Sequence, residues 1–211
     1  MLAIDHIVIA TKDPAHAAQN FEQNYNVNTI QGGKHEKWGT YNYLAYFSND
    51  SYIEWIGIFD KNIASASDNP LIQQLVSALS TDVEGPIQYA LRTTKMDDYM
   101  VHLHASNINY IGPIPGSRKK PDGSTLEWRM LFPSVNNNMI LPFLIEWGSI
   151  KNVPQDERLI NSQHLRSVNF GVEEKEIFKH IYMIDTERDS IQLENGLLIL
   201  EKSNDLHFVL A

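Results

Sequence analysis

The chain of 211 residues contains no cysteine. That absence removes disulfides, thiolate nucleophiles and every sulfur-ligated zinc or iron–sulfur site. A metal would have to be held by histidine, carboxylate, tyrosine or amide oxygen. Positive charge is also scarce: 17 Lys and Arg stand against 26 Asp and Glu, a formal net charge of −9. Nucleic-acid binding needs a broad basic face, which this balance opposes. No window approaches about eighteen uninterrupted apolar residues, so no membrane-spanning helix is expected. Met1 leads straight into a strand pattern, with neither the basic stretch nor the apolar stretch of a secretion signal, and the chain reads as cytoplasmic. A Gly-x-Ser-x-Gly elbow, a Walker loop and a dinucleotide glycine fingerprint are all missing, which disfavours serine-hydrolase and nucleotide-binding readings.

What is present is a repeated oddity. Two apolar strands each carry a glutamate followed by a tryptophan, in Tyr52-Ile53-Glu54-Trp55 and Leu144-Ile145-Glu146-Trp147. Each follows another apolar strand with a polar residue near its start, His6 in the run from Ile4 to Ala10 and Tyr89 in the run from Ile87 to Arg92. A buried, unpaired carboxylate costs several kcal/mol or takes up a proton. Two of them in matching order point to a duplicated module whose halves aim polar groups at one cavity.

The local signals fit strand–helix–strand units. Ile4 to Thr11 reads as a buried strand, Asp13-Pro14 as a cap and first turn, and Ala15 to Tyr25 as a helix. Gly32-Gly33 marks a loop, and strands follow over Tyr41 to Phe47 and Ser51 to Phe59. Asn69-Pro70 opens a connector helix with Leu71, Leu75 and Leu79 on one face. The pattern restarts after Gly85-Pro86 with a strand over Ile87 to Thr94 and a helix over Asp97 to Asn107. A Pro/Gly-rich loop over 112–123 and strands over Ser124 to Phe132 and Met139 to Trp147 complete it. The expected units are 1–83, a first module with a connector helix; 84–150, a second module; and 151–211, a C-terminal partial module with a turn at Asn204-Asp205.

Alternation along a strand puts His6 on one face with Ile4, Val8 and Ala10, and Glu54 with Tyr52, Ile56 and Ile58. A histidine and two glutamates, His6, Glu54 and Glu146, suit a divalent ion such as zinc, manganese, nickel or iron. The other reading is a metal-free polar cavity in which a glutamate is hydrogen-bonded and His6 is a satisfied core residue. Among the loops, Gly32 to Asn42 offers His35, Trp38 and Asn42 to a ligand, and Gly116 to Gly123 offers Arg118, whose fork suits carboxylate or phosphate, beside Trp128. His102 and His104 lie on different helix faces, and His16, His164, His180 and His207 have no convergent partners.

The stretch from Ile4 to Ala10, Gly32-Gly33-Lys34-His35 with Trp38 to Asn42, Tyr52-Ile53-Glu54, Arg118, Pro121-Asp122-Gly123, Leu126, Trp128 and the run from Pro142 to Trp147 together resemble glyoxalase-like members of the vicinal oxygen chelate superfamily. The resemblance covers about residues 2–150. It implies an α+β fold of paired βαβββ modules forming a cupped mixed sheet, with a smaller C-terminal βα-β unit extending it and a site on the concave face. It also implies metal-ligand positions at His6, Glu54, Tyr89 and Glu146. Tyr89 departs from relatives that place a second histidine there, and phenol is a poor ligand at neutral pH; His35 could replace it from its loop.

Two functions follow as expectations. One is a metal-dependent lyase or isomerase of the glyoxalase type acting on a small oxygenated metabolite, with Glu54, Glu146 and His35 catalytic. His6, Glu54 and Glu146 would then hold the ion, and Arg118, Asn42, Trp38, Trp128 and Tyr89 would bind substrate. The other is a metal-free binding or sequestering protein whose cavity is walled by Trp38, Trp55, Trp128 and Trp147. Either takes a small-molecule ligand, without nucleic acid or membrane, and a homodimer is compatible with both.

Overall fold

The computed structural model describes residues 1–120, 123–135, 141–203 and 205–211. The first unit runs β1 (Ala3–Ala10), α1 (Pro14–Tyr25), β2 (Ile30–His35), β3 (Thr40–Phe47) and β4 (Tyr52–Ile58). Two connector helices, α2 (Lys61–Ser65) and α3 (Pro70–Ser80), lead to the second unit: β5 (Gly85–Arg92), α4 (Met96–Ala105), β6 (Asn109–Lys119), β7 (Thr125–Ser134) and β8 (Phe143–Trp147). After the short β9 (Ile160–Asn161) come β10 (Leu165–Gly171), α5 (Lys175–Ile181), β11 (Ser190–Gln192), β12 (Leu197–Glu201) and β13 (Leu206–Leu210). The helix starts obey the capping signals. Asp13 accepts from His16 N ahead of Pro14, and Asn69 accepts from Leu71 N ahead of Pro70.

The main sheet has the order β2-β3-β4-β1-β5-β8-β7-β6, with β9 added to the end of β3. In each half the first strand lies parallel to the last, and β1 meets β5 antiparallel at the centre. The two halves are therefore the same βαβββ unit, joined through their first strands into a curled half-barrel. The C-terminal unit repeats part of this plan in its own sheet, β11-β12-β10-β13, with β10 parallel to β12 as β1 is to β4.

Two segments that read as loops are strands. Gly32-Gly33 lies in β2 and Pro113, Pro115 and Gly116 lie in β6, the two outer strands of the order. An edge strand needs only one hydrogen-bonded side, so it tolerates prolines and glycines that would break a central one. Both strands also carry a register shift, between Gln31 and Lys34 and between Ile111 and Ile114. Gly116 is needed for a separate reason, since a Cβ there would run into the Trp128 ring. The expected strand start at Met139 and the residues Pro121, Asp122 and Asn204 lie outside the described residues.

Apolar side chains cover both faces of the sheet. On the convex side Ile7, Ile53, Tyr89, Leu91 and Leu144 join α1, α4 and the C-terminal unit in one core. On the concave side Val8, Ile56, Ala90, Phe143 and Ile145 pack with Leu71, Ile72 and Leu75 of α3. The connector helix thus lies inside the cup and closes part of it. What remains open is the site.

Candidate functional site

The pairing of β1 with β5 slips between Ile4 and His6. A bulge of this kind re-aims neighbouring side chains, and here it brings Asp5 and His6 into contact. Asp5 Oδ1 lies 2.7 Å from His6 Nδ1. Its other oxygen accepts from Trp147 Nε1 at 2.9 Å and from Arg92 Nη1 at 3.3 Å. Complete burial pushes the Asp5 carboxyl up, but the His6 hydrogen bond, the charges of His6 and Arg92, and the Trp147 bond outweigh it and hold it below the usual range. His6 stacks on Tyr52 at 4.5 Å and meets the edge of Phe143 at 5.5 Å. The ring is thus held on both sides.

Its second nitrogen, Nε2, stands 3.5 Å from Glu54 Oε2. Glu54 Oε1 in turn accepts from Asn42 Nδ2 at 2.5 Å, and Asn42 Oδ1 accepts from Gly33 N at 2.8 Å. Only glycine fits at position 32, where a Cβ would overlap the Asn42 amide. The result is a continuous chain, Arg92–Asp5–His6–Glu54–Asn42. With Nδ1 directed at Asp5, Nε2 is free to hand a proton to Glu54 or to take one from it.

Glu54 and His6 face an inner chamber of about 50 Å³, with Asn42 and Tyr52 as polar neighbours and Ile56, Ile72, Met130, Phe143 and Ile145 as apolar ones. His35, Trp38, Arg118, Trp128 and Trp147 line both this chamber and a vestibule of about 950 Å³, forming the throat between them. The three indoles are in contact, with centroids 6.2 Å apart for Trp38–Trp128 and 5.5 Å for Trp128–Trp147. The vestibule is rich in cations, with Lys34, Lys37, Arg118, Lys119 and Arg129 facing three glutamates, Glu36, Glu127 and Glu146. Arg118 is held at the throat by Asn152 Oδ1, which also accepts from the Tyr46 hydroxyl. Burial pushes that hydroxyl up to about 12, although the Arg118 charge pulls the other way.

His35 completes the throat with Nδ1 3.1 Å from the Thr40 hydroxyl. Dense surroundings, although part of the ring still reaches the cavity, lower its pKa; Glu54 opposes this and Arg118 adds to it. A neutral imidazole is favoured there.

Three expected site residues do not line the inner chamber, and of these only Glu146 borders the vestibule. Tyr89 lies on the convex face, its ring 5.2 Å from Phe170 and its hydroxyl buried without a partner. An unpaired buried hydroxyl costs on the order of 1–3 kcal/mol. Glu146 alternates with Ile145 and Trp147, which face the chamber, and so points to the other side of β8. There it accepts from Met96 N at 3.2 Å and pairs with Arg129 Nη2 at 2.6 Å. Trp55 also packs on the convex side, against Phe21 at 5.0 Å. A one-residue difference in phase moves a side chain to the opposite face, and that is what separates Tyr89 and Glu146 from His6 and Glu54. His35, Trp38, Asn42, Arg118 and Trp128 do line the chamber with His6 and Glu54.

The expected metal loses its ligands by the same geometry. Asp5 engages the far nitrogen of His6, Glu146 faces away, and His35 is directed at Thr40. His6 Nε2 and Glu54 remain, whereas protein metal sites take three or four ligands. Among the described residues no three of His, Asp and Glu form such a group. The donor set does not fit a resident divalent ion. Asp5, Tyr52, Arg92 and Asn152 are site residues that sequence reasoning missed. The apolar run around Asp5 and the polar segment around Asn152 carry no signal for contacts made across the fold.

Paired βαβββ modules enclosing a site within the curled sheet place the protein in the vicinal oxygen chelate superfamily. Within it, the chain belongs to the glyoxalase-like domain family, whose model matches residues 4–183. No curated protein matches the sequence. Among solved structures, a hypothetical protein from Staphylococcus aureus is 17% identical with a TM-score of 0.79, covering 95% of this chain and 86% of that one. The methylmalonyl-CoA epimerase of Streptomyces coelicolor, in complex with 2-nitronate-propionyl-CoA, is 17% identical with a TM-score of 0.51, covering 72% and 98%. A hypothetical protein from Bacillus halodurans is 11% identical with a TM-score of 0.52, covering 73% and 99%. At these identities the likeness is one of fold.

Proposed function

We propose that the protein is a proton-transfer enzyme acting on a small, anionic, oxygenated metabolite. The single observation that carries this is Glu54, buried, fixed by Asn42 and facing His6 Nε2 at 3.5 Å, with Asp5 behind the imidazole. A carboxylate within reach of a backed imidazole is an acid–base pair. Arg118 orients the anionic group at the throat, and Trp38, Trp128 and Trp147 exclude water and pack against the carbon skeleton. The cation-rich vestibule has room for a larger anionic tail, a feature in keeping with fold neighbours that take acyl-CoA ligands, although that analogy rests on fold alone.

Solvent exchange tests the reading. The protein is incubated in D2O with a panel of small 2-methyl and oxo carboxylic acids and their CoA thioesters, and loss of the α-proton signal is followed by NMR. Exchange catalysed by the wild type and reduced at least about 100-fold in Glu54→Gln, with binding retained, is expected. Binding without exchange for every member favours the second reading, a sequestering protein whose indole-walled throat alone does the work. Absence of both binding and exchange contradicts a small-molecule site of this class.

A further inference from the structure

Asn69 takes no part in the proton chain, yet it is fully buried and lines the inner chamber from the start of α3. Its Oδ1 accepts from Leu71 N at 3.0 Å, which fixes the orientation of the amide. The oxygen caps the helix, and Nδ2 has no hydrogen-bond partner. Only one other buried side-chain atom among the described residues shares that condition, the Tyr89 hydroxyl on the convex face. Buried donors are nearly always paired in proteins, so an unpaired amide nitrogen on a residue that lines the chamber needs an explanation. The chamber's carboxylate does not supply one, because Glu54 is engaged by Asn42 and faces His6.

We infer that Asn69 is a specificity-determining donor whose Nδ2 binds a carbonyl oxygen at the inner end of the ligand, while the anionic end stays with Arg118 at the throat. The inference rests on the small-molecule reading above and narrows it. With about 50 Å³ available, only a short acyl end enters the chamber, its oxygen on Asn69 from the helix side and its adjacent carbon within range of Glu54 from the sheet side. In the proton transfer, the C–H bond breaks, its proton goes to the Glu54 carboxylate, its electron pair forms the C=C bond, and the C=O π pair moves onto the carbonyl oxygen. The Asn69 N–H stabilises the resulting enolate. Return of the proton from Glu54 restores the C–H bond, so no co-reactant is needed.

Two variants separate this role from the helix cap. Asn69→Ser and Asn69→Thr both keep an oxygen that can accept from Leu71 N, neither brings a charge into this fully buried position, and both lack the amide donor. The probes are acetoacetate and butyrate, matched acids that differ by one carbonyl, with dissociation constants measured by ligand-observed NMR on the full chain. The wild type should prefer acetoacetate by roughly tenfold or more. Both variants should lose that preference while their melting temperatures stay close to that of the wild type. A preference retained in both variants, or no preference in the wild type, overturns the inference and leaves the proposed site standing. Failure of the site itself looks different: neither acid binds the wild type, or Arg118→Ala binds both as well as the wild type does, and the inference then falls with it.

Discussion

The same dipeptide, Glu-Trp, occurs at equivalent places in the two halves of the sheet and in opposite phase. In β4 the glutamate faces the chamber and the tryptophan packs against Phe21 on the convex side. In β8 the tryptophan faces the chamber and donates to Asp5, while Glu146 turns outward to Arg129 and the start of α4. The cavity is consequently asymmetric. One half contributes the proposed acid–base pair and Trp38, and the other contributes the remaining throat indoles, Trp128 and Trp147, together with Arg92, the cation that helps keep Asp5 ionised. A duplicated fold can thus divide labour between its halves through a change of one residue in strand phase.

The largest expected effect lies on the first-half side of that division. Asp5→Ala strands Arg92 and His6 around an empty position and should lower stability by roughly 3–5 kcal/mol, as read by urea denaturation. On the second-half side, Gln88 occupies a buried polar position on β5 and bonds to Leu141 O and from Tyr89 N. Gln88→Leu should cost less, on the order of 1–3 kcal/mol, because it leaves two neutral backbone groups unpaired and no buried charge. If the two variants lose equal stability, the electrostatic difference between the halves is not what distinguishes them.

Acid sharpens the same contrast. Asp5 has a folded pKa below its ordinary value of 3.8, so its contribution is complete above that value and is lost as pH falls through the lower folded value. Wild-type stability should therefore drop more steeply below pH 3.8 than that of Asp5→Asn. His35, whose pKa is also depressed, contributes fully above its ordinary value of 6.5 and loses that contribution as pH falls through the folded value. His35→Gln should flatten the stability profile just below pH 6.5, a smaller change. The smallest effect belongs to Glu146→Gln, which loosens a partly exposed pair with Arg129 and should cost about 1 kcal/mol or less.

Much of the fold is legible in the sequence because its signals are local. Asp13-Pro14 and Asn69-Pro70 start helices where their capping chemistry says they should, and the buried strands declare themselves by composition. The phase of a strand relative to its neighbour is not local. Matching His6 with Tyr89 by position in the run ignores the bulge between Ile4 and His6, and the Glu146-Trp147 dipeptide points to the site only because it resembles Glu54-Trp55. Proline and glycine in β2 and β6 likewise look like loop residues until the strands are known to be edges. The contacts of Asn152 with Arg118 and Tyr46, and the unpaired amide of Asn69, arise from the fold as a whole and leave no mark in the neighbouring sequence.

The division of labour between the two glutamates is tested most directly by solvent deuterium exchange on one bound acid, comparing Glu54→Gln with Glu146→Gln. Expected is a loss of at least about 100-fold in the first variant and a rate within about twofold of wild type in the second. Equal losses in both variants, or a larger loss in Glu146→Gln, would contradict the placement of the proton-transfer chemistry on the first half alone.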